Sequence, residues 1–212
     1  MAGHAASFAR ETLMKLLHLI GSTCFCAIAF AAALDVSAAS AVVISIAHQK
    51  LALIENGTPL TQFRVSTSKF GVGDRPGSYA TPPGLLEVPS KIGVNAPLGT
   101  VFESRIRTGE ILPPNACERD PIVTRILWLR GMEKCNARAY HRAIYIHGTP
   151  VERMIGRPAS YGCIRMRSCD VASLFALVNV GTKIAVMNCR LQDAITRVTG
   201  DSPATGLRFA AN

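Results

Sequence analysis

The chain has 212 residues, enough for one domain with its own core and too few for two full domains once a leader is set aside. Apolar residues make up 49% of it, which excludes disorder for the bulk of the chain. The formal charge of +9 comes from scattered lysines and arginines, and aromatics are only 6%; this argues against a nucleic-acid partner and fits adsorption to an anionic cell envelope.

The stretch from Leu16 to Leu34 is almost free of charge, with Arg10 and Lys15 before it and Val36-Ser37-Ala38-Ala39 after it. A positive n-region, an apolar h-region and an A-x-A-like site describe a secretory signal peptide cleaved after Ala38 or Ala39. The run is also long enough to stay uncleaved as an N-terminal membrane anchor. Residues 1–39 are therefore expected to be a signal peptide or anchor, 40–189 the working domain, and 190–212 a partly disordered tail. Either fate of the leader puts the domain in the periplasm or cell envelope.

Of the seven cysteines, Cys24 and Cys26 fall in the leader. Cys117, Cys135, Cys163, Cys169 and Cys189 remain, in a compartment that permits disulfides. An odd number leaves one thiol over. Pairing Cys117 with Cys135 and Cys169 with Cys189 would leave Cys163 free, although connectivity does not follow from sequence.

From Ala41 onward the chain turns to short β-branched runs. Val42–Ile46 and Leu51–Ile54 read as strands, and Asn56-Gly57 is a hairpin turn before a strand at Phe63–Thr67. Glycines and prolines fill the stretch between Gly71 and Pro97, leaving Leu85–Val88 as its strand. Ile122–Leu129 and Ala143–His147 follow; in the second, period-two alternation puts Ile144 and Ile146 on one face and Ala143, Tyr145 and His147 on the other. Ser168 is expected to cap a helix from Cys169 to about Val178 with Val171, Leu174, Phe175 and Val178 on its buried stripe. Thr182–Met187 reads as a last strand, and Leu191–Val198 has a short helical pattern.

Chemistry concentrates in His147-Gly148-Thr149 and, after a loop, Ser160-Tyr161-Gly162-Cys163-Ile164-Arg165-Met166. A cysteine nucleophile reacts as its thiolate and needs a base, which His147 can supply. Gly162 allows a sharp turn that can aim consecutive N–H groups at a developing oxyanion, and the Gly148 carbonyl can hold the imidazole tautomer. Arg165 can bind a substrate carboxylate or pair inside the protein. His48 and His141 are rival bases, and only the His-Gly-Thr context separates His147 from His141 on the same expected face.

The run His-Gly-Thr followed by Ile-Gly-Arg-Pro-Ala-Ser-Tyr-Gly-Cys-Ile-Arg-Met resembles the active-site signature of the YkuD-type L,D-transpeptidases. Ser66-Thr67, Thr81-Pro82-Pro83-Gly84 and the Asn56-Gly57 hairpin are similar to other parts of that family, so the resemblance runs from about Val42 to Met187. It implies a mainly β fold, a YkuD-like antiparallel β-sandwich with one short helix after the cysteine. It also implies peptidoglycan stem peptides as partners and carbapenems as covalent inhibitors, with no metal or cofactor. Cys163 would attack the bond after the L-centre of a diamino acid in a tetrapeptide stem, expel D-alanine and pass the acyl group to an amine. His147 would act as base and then acid, held by the Gly148 carbonyl. Ser160, Tyr161, Gly162 and Arg165 would contact substrate or the oxyanion.

Two departures stand out. The family usually has histidine where this chain has Tyr161; that histidine is not its base, so the change bears on rate and substrate preference. Ile111–Asn136 has no clear place in the family pattern and reads as a loop insertion, with Cys117 and Cys135 as a staple. Alternative functions are an L,D-carboxypeptidase that uses water as acceptor and a catalytically inactive peptidoglycan-binding module. A papain-like peptidase is disfavoured by the absence of a Cys-Trp context.

Overall fold

The computed structural model of the protein describes residues 40–115 and 119–200. The expected leader, the tail beyond residue 200 and the Cys117 half of the expected Cys117–Cys135 staple lie outside the described residues. Strands β1 (Ser40–Ser45) and β2 (Lys50–Glu55) pair antiparallel. Asn56 and Gly57 then both take left-handed backbone (φ 51° and 78°), as a type I′ turn demands, and lead into β3 (Thr58–Arg64). The strand expected at Phe63–Thr67 thus lies earlier in the chain. Val65–Ser68 instead leaves the ladder, and Ser66 and Ser68 bridge to Arg165 and Ser160.

Strand β4 (Gly84–Ile92) tolerates Pro89 because its pairing shifts register between Glu87 and Ser90, where a missing N–H breaks no regular ladder bond. Next come β5 (Thr100–Glu103), β6 (Ile106–Ile111), β7 (Ile122–Gly131) and β8 (Tyr145–Gly148). A 3-10 turn at Glu152–Met154 precedes β9 (Ile164–Met166), helix α1 (Ser168–Leu177), β10 (Lys183–Met187) and helix α2 (Leu191–Thr199). The stretch read as a loop insertion therefore contains β7, which pairs with β4, β5 and β8. Val123, Ile126, Leu127 and Leu129 are all buried there, so both faces of the strand are covered and the alternation that marks a half-exposed strand is lost.

The mainly β class holds, but the sheet is mixed. Its order is β3-β2-β1-β10-β4-β7-β5-β6, with β8 on β7 and β9 on β8. β1 runs parallel to β10, and β8 parallel to β9. Ile44 and Leu51 from one half of the sheet meet Leu127, Ile146 and Ile164 from the other in one core, which α1 closes with Val171, Leu174 and Phe175. The sheet is thus folded over on itself. Helix α2 covers the outer face of β1 and β2 through Leu191, Ala194 and Ile195, and Gly200 ends it with φ 81°.

The cap of α1 differs from expectation. Arg167 is the N-cap residue, with extended backbone and no side-chain cap bond, and Ser168 is the first helical residue. The Ser168 N–H donates to a Glu152 carboxylate oxygen at 2.8 Å, so the 3-10 turn supplies the acceptor that an orphan helix N–H requires. Among the described residues no helix is long and apolar enough to cross a membrane.

Candidate active site

The parallel β8–β9 ladder builds the site. Its register sets Ile146 against Ile164, His147 against Arg165 and Gly148 against Met166. Ile146, Ile164 and Met166 face the main core. Alternation turns Tyr145, His147, Arg165 and Cys163, which immediately precedes β9, to the opposite face. Cys163 packs there beside Tyr145 and Phe102. His147 and Cys163 therefore stand as diagonal neighbours on one side of the ladder.

Both hydrogen bonds of the thiol go to backbone. It accepts the Tyr145 N–H and donates to the Ala143 carbonyl, each at 3.4 Å. Burial pushes the Cys163 thiol up to about 11, against smaller pulls downward from the Tyr145 N–H and the Arg142 charge. His147 is 5% exposed, and burial lowers it to about 4. Its Nδ1 lies 2.8 Å from the Gly148 carbonyl. A carbonyl oxygen only accepts, so Nδ1 carries the proton and Nε2 presents its lone pair. The resting pair is a neutral thiol and a neutral imidazole.

Backbone shape is set by two glycines. A Cβ on Gly148 would come within 2.6 Å of the Val123 carbonyl, on a stretch of β7 where Thr124 takes φ 72° at a register shift. Gly162 has φ 120°, conformational space that glycine alone enters freely. Ser160 is buried and its hydroxyl works internally, donating to the Cys163 carbonyl at 2.6 Å and accepting the Gly162 N–H at 3.3 Å. The Gly162 N–H is thereby engaged, whereas the Cys163 N–H has no backbone partner among the described residues. The Thr81 hydroxyl, which reads in the sequence as a plain turn residue, donates to the Gly162 carbonyl at 3.1 Å.

Arg165 is 6% exposed and ion-paired with Asp120, whose other oxygen accepts the Thr149 hydroxyl. Arg165 Nη1 makes that internal pair, while its buried Nε has no hydrogen-bond partner among the described residues. Tyr161 is 60% exposed and clusters with Phe70 and Tyr79, ring centroids 5.4 and 5.9 Å away, while the Lys69 ammonium donates to its hydroxyl at 2.9 Å. His48 accepts the Leu191 N–H, and His141 sits in a turn rather than on β8, so the shared-face argument for His141 lapses. Cys169 and Cys189 are both free thiols. Among the described residues no group of three or more His, Cys, Asp or Glu side chains is placed to hold a metal ion. Missed in the sequence were Arg142 and Asp74, an ion pair at 2.8 Å behind the cysteine turn, which no local pattern announces.

Residues 39–186 match the family profile of the YkuD L,D-transpeptidase catalytic domain. Over 58 residues the chain is 42% identical to a probable L,D-transpeptidase, YcfS, of Escherichia coli (strain K12); that stretch is 27% of this chain and 18% of the relative, so under a fifth of the relative's length is spanned. An L,D-transpeptidase from Mycobacterium smegmatis aligns at 20% identity and TM-score 0.45 over 71% of this chain and 59% of that one. L,D-transpeptidase 3 from Mycobacterium tuberculosis, solved with a faropenem-derived adduct, aligns at 18% and 0.47 over 71% and 61%. Likenesses of that size carry no assignment. The family match, by contrast, runs through well over half of the chain and takes in both His147 and Cys163, and on that ground the protein belongs to the YkuD L,D-transpeptidase catalytic domain family.

Proposed function

We propose that the protein is an exported cysteine acyltransferase acting on peptidoglycan stem peptides. The observation that carries the reading is the neutral Cys163–His147 pair on one face of the β8–β9 ladder, with Nδ1 fixed by the Gly148 carbonyl and Nε2 left as base. Cys163 Sγ attacks the carbonyl carbon that follows the L-centre of a diamino acid, and its proton passes to Nε2 as the thiolate forms. The Cys163 N–H meets the oxyanion. The C–N bond breaks, Nε2 protonates the departing D-alanine amine, and a thioester remains. An acceptor amine then attacks, gives its proton to Nε2, and the regenerated thiol recovers it.

Residues 1–39 act in this reading as a signal peptide or anchor, and 40–189 as the catalytic domain. Neutral resting partners favour proton transfer in step with attack, since burial disfavours a standing thiolate. Carbapenems are expected to acylate the same sulfur. The test is intact mass of the full-length protein after carbapenem treatment, for the parent, Cys163→Ala and His147→Ala. An adduct that is absent in Cys163→Ala and forms about 10²-fold or more slowly in His147→Ala supports the reading, since a positioned base is worth that much. A folded parent that takes no adduct sinks it.

A further inference from the structure

We propose that Arg142 is a positioning residue of the cysteine site, clamping the Gly73–Thr81 loop against the Gly162–Cys163 turn and placing a positive charge beside that turn. The inference rests on Cys163 being the reacting thiol. Arg142 Nη1 donates to an Asp74 carboxylate oxygen at 2.8 Å and to the Gly73 carbonyl at 3.1 Å, and Nη2 donates to the Ala80 carbonyl at 2.7 Å. The other Asp74 oxygen accepts the Arg138 N–H at 2.7 Å. Both side chains of the ion pair are nearly withdrawn from solvent, at 12% and 4% exposure. One planar guanidinium thus holds three residues of the loop, a geometry that lysine cannot reproduce in full.

The same group reaches the cysteine turn from behind. Arg142 Nη2 lies 3.5 Å from the place a Cβ on Gly162 would occupy, and the Ala80 carbonyl that it binds lies 3.3 Å from that place. The chain also passes from Arg142 directly into Ala143, at φ 53°, whose carbonyl accepts the Cys163 thiol. The remaining charged or titratable groups around the thiol are otherwise committed. His147 is neutral, Arg165 is paired with Asp120 through Nη1, Arg105 donates to the Tyr145 hydroxyl at 3.1 Å, and Lys69 stands on the exposed side against Tyr161. The Arg142 charge pulls the thiol down, more weakly than burial pushes it up, and Asp74 carries the opposite charge beside that guanidinium.

The test is the pH profile of Cys163 alkylation by iodoacetamide in the full-length chain. The rate is read from the tryptic peptide that contains Cys163, because the chain has seven cysteines. Arg142→Gln is expected to move the profile to higher pH, alkylating about tenfold more slowly at neutral pH with an unchanged plateau at high pH. Arg142→Lys should recover most of the rate. Asp74→Asn should move the profile to lower pH, because it removes the carboxylate that tempers Arg142. A merely structural clamp would send Arg142→Gln and Asp74→Asn in the same direction; that result, or superimposable profiles, overturns the proposal. If Arg142→Gln does not fold, Asp74→Asn decides alone, and a slower or unchanged rate overturns it. If the alkylation order holds while the parent takes no carbapenem adduct, acyl transfer fails and the role of Arg142 stands.

Discussion

Burial of His147 makes native stability depend on acidity. An unfolded histidine titrates near 6.5 and the folded one near 4. Above the upper value both forms are neutral and the residue adds no pH dependence. Between the two the unfolded chain takes up a proton that the native state refuses, so stability falls as pH drops through that window, by about 3 kcal/mol in all. Denaturant unfolding across the window, comparing the parent with His147→Gln, should show the variant losing less; parallel curves would refute the assignment. Cys163 works in the opposite sense: its raised pKa makes the native state weaker as pH rises from about 9 toward 11. At this scale the motif residues were legible because they are close in sequence. Gly148 follows His147, and Ser160, Gly162 and Cys163 share one turn. Asp74 with Arg142 and Asp120 with Arg165 were not, since ion pairs across 45 to 68 positions leave no local trace.

Among the elements, β8 depends on a close approach that a single methyl group would block. In Gly148→Ala the added Cβ would sit 2.6 Å from the Val123 carbonyl. Strand β8 must then shift away from β7 and take the Gly148 carbonyl off Nδ1. Carbapenem acylation should slow by about 10²-fold, the cost of misplacing a catalytic group by roughly an ångström. Circular dichroism should still report a folded β protein; acylation at the parent rate would mean that the carbonyl does not set the tautomer. For α1, Glu152→Ala removes the acceptor on the Ser168 N–H and should cost about 1 kcal/mol, read as a lower denaturation midpoint. The first hairpin was readable because Asn-Gly is the residue pair its turn requires. The β5–β6 hairpin turns instead through Ser104 and Arg105 at φ 48° and 71°, residues that do not advertise left-handed backbone, and β6 is largely exposed. Strand β7 was readable at Ile122–Leu129 from its β-branched and aliphatic run, but with both faces covered it shows no alternation to mark it as part of the sheet, and the stretch around it reads as an insertion.

For the molecule as a whole, a single core joins both halves of the sheet, so damage in one strand should be felt as loss of global stability. Leu86 in β4 is fully buried within that core. Leu86→Ala should lower unfolding free energy by about 2–5 kcal/mol with one cooperative transition retained. Two separate transitions would mean that the halves fold independently. The mainly β class and the helix after the cysteine were legible from pattern, but the sheet order was not, because periodicity says which face a strand presents and nothing about its neighbour. That order has a temporal side. Strand β1 is paired with β10, the last strand to leave the ribosome, and β10 alone links β1 to β4. Until residues near 183 have been synthesised, the first hairpin has no route into the rest of the sheet. A nascent chain so arranged cannot complete its sheet until β10 has been made, so its first hairpin waits open while more than a hundred residues are added.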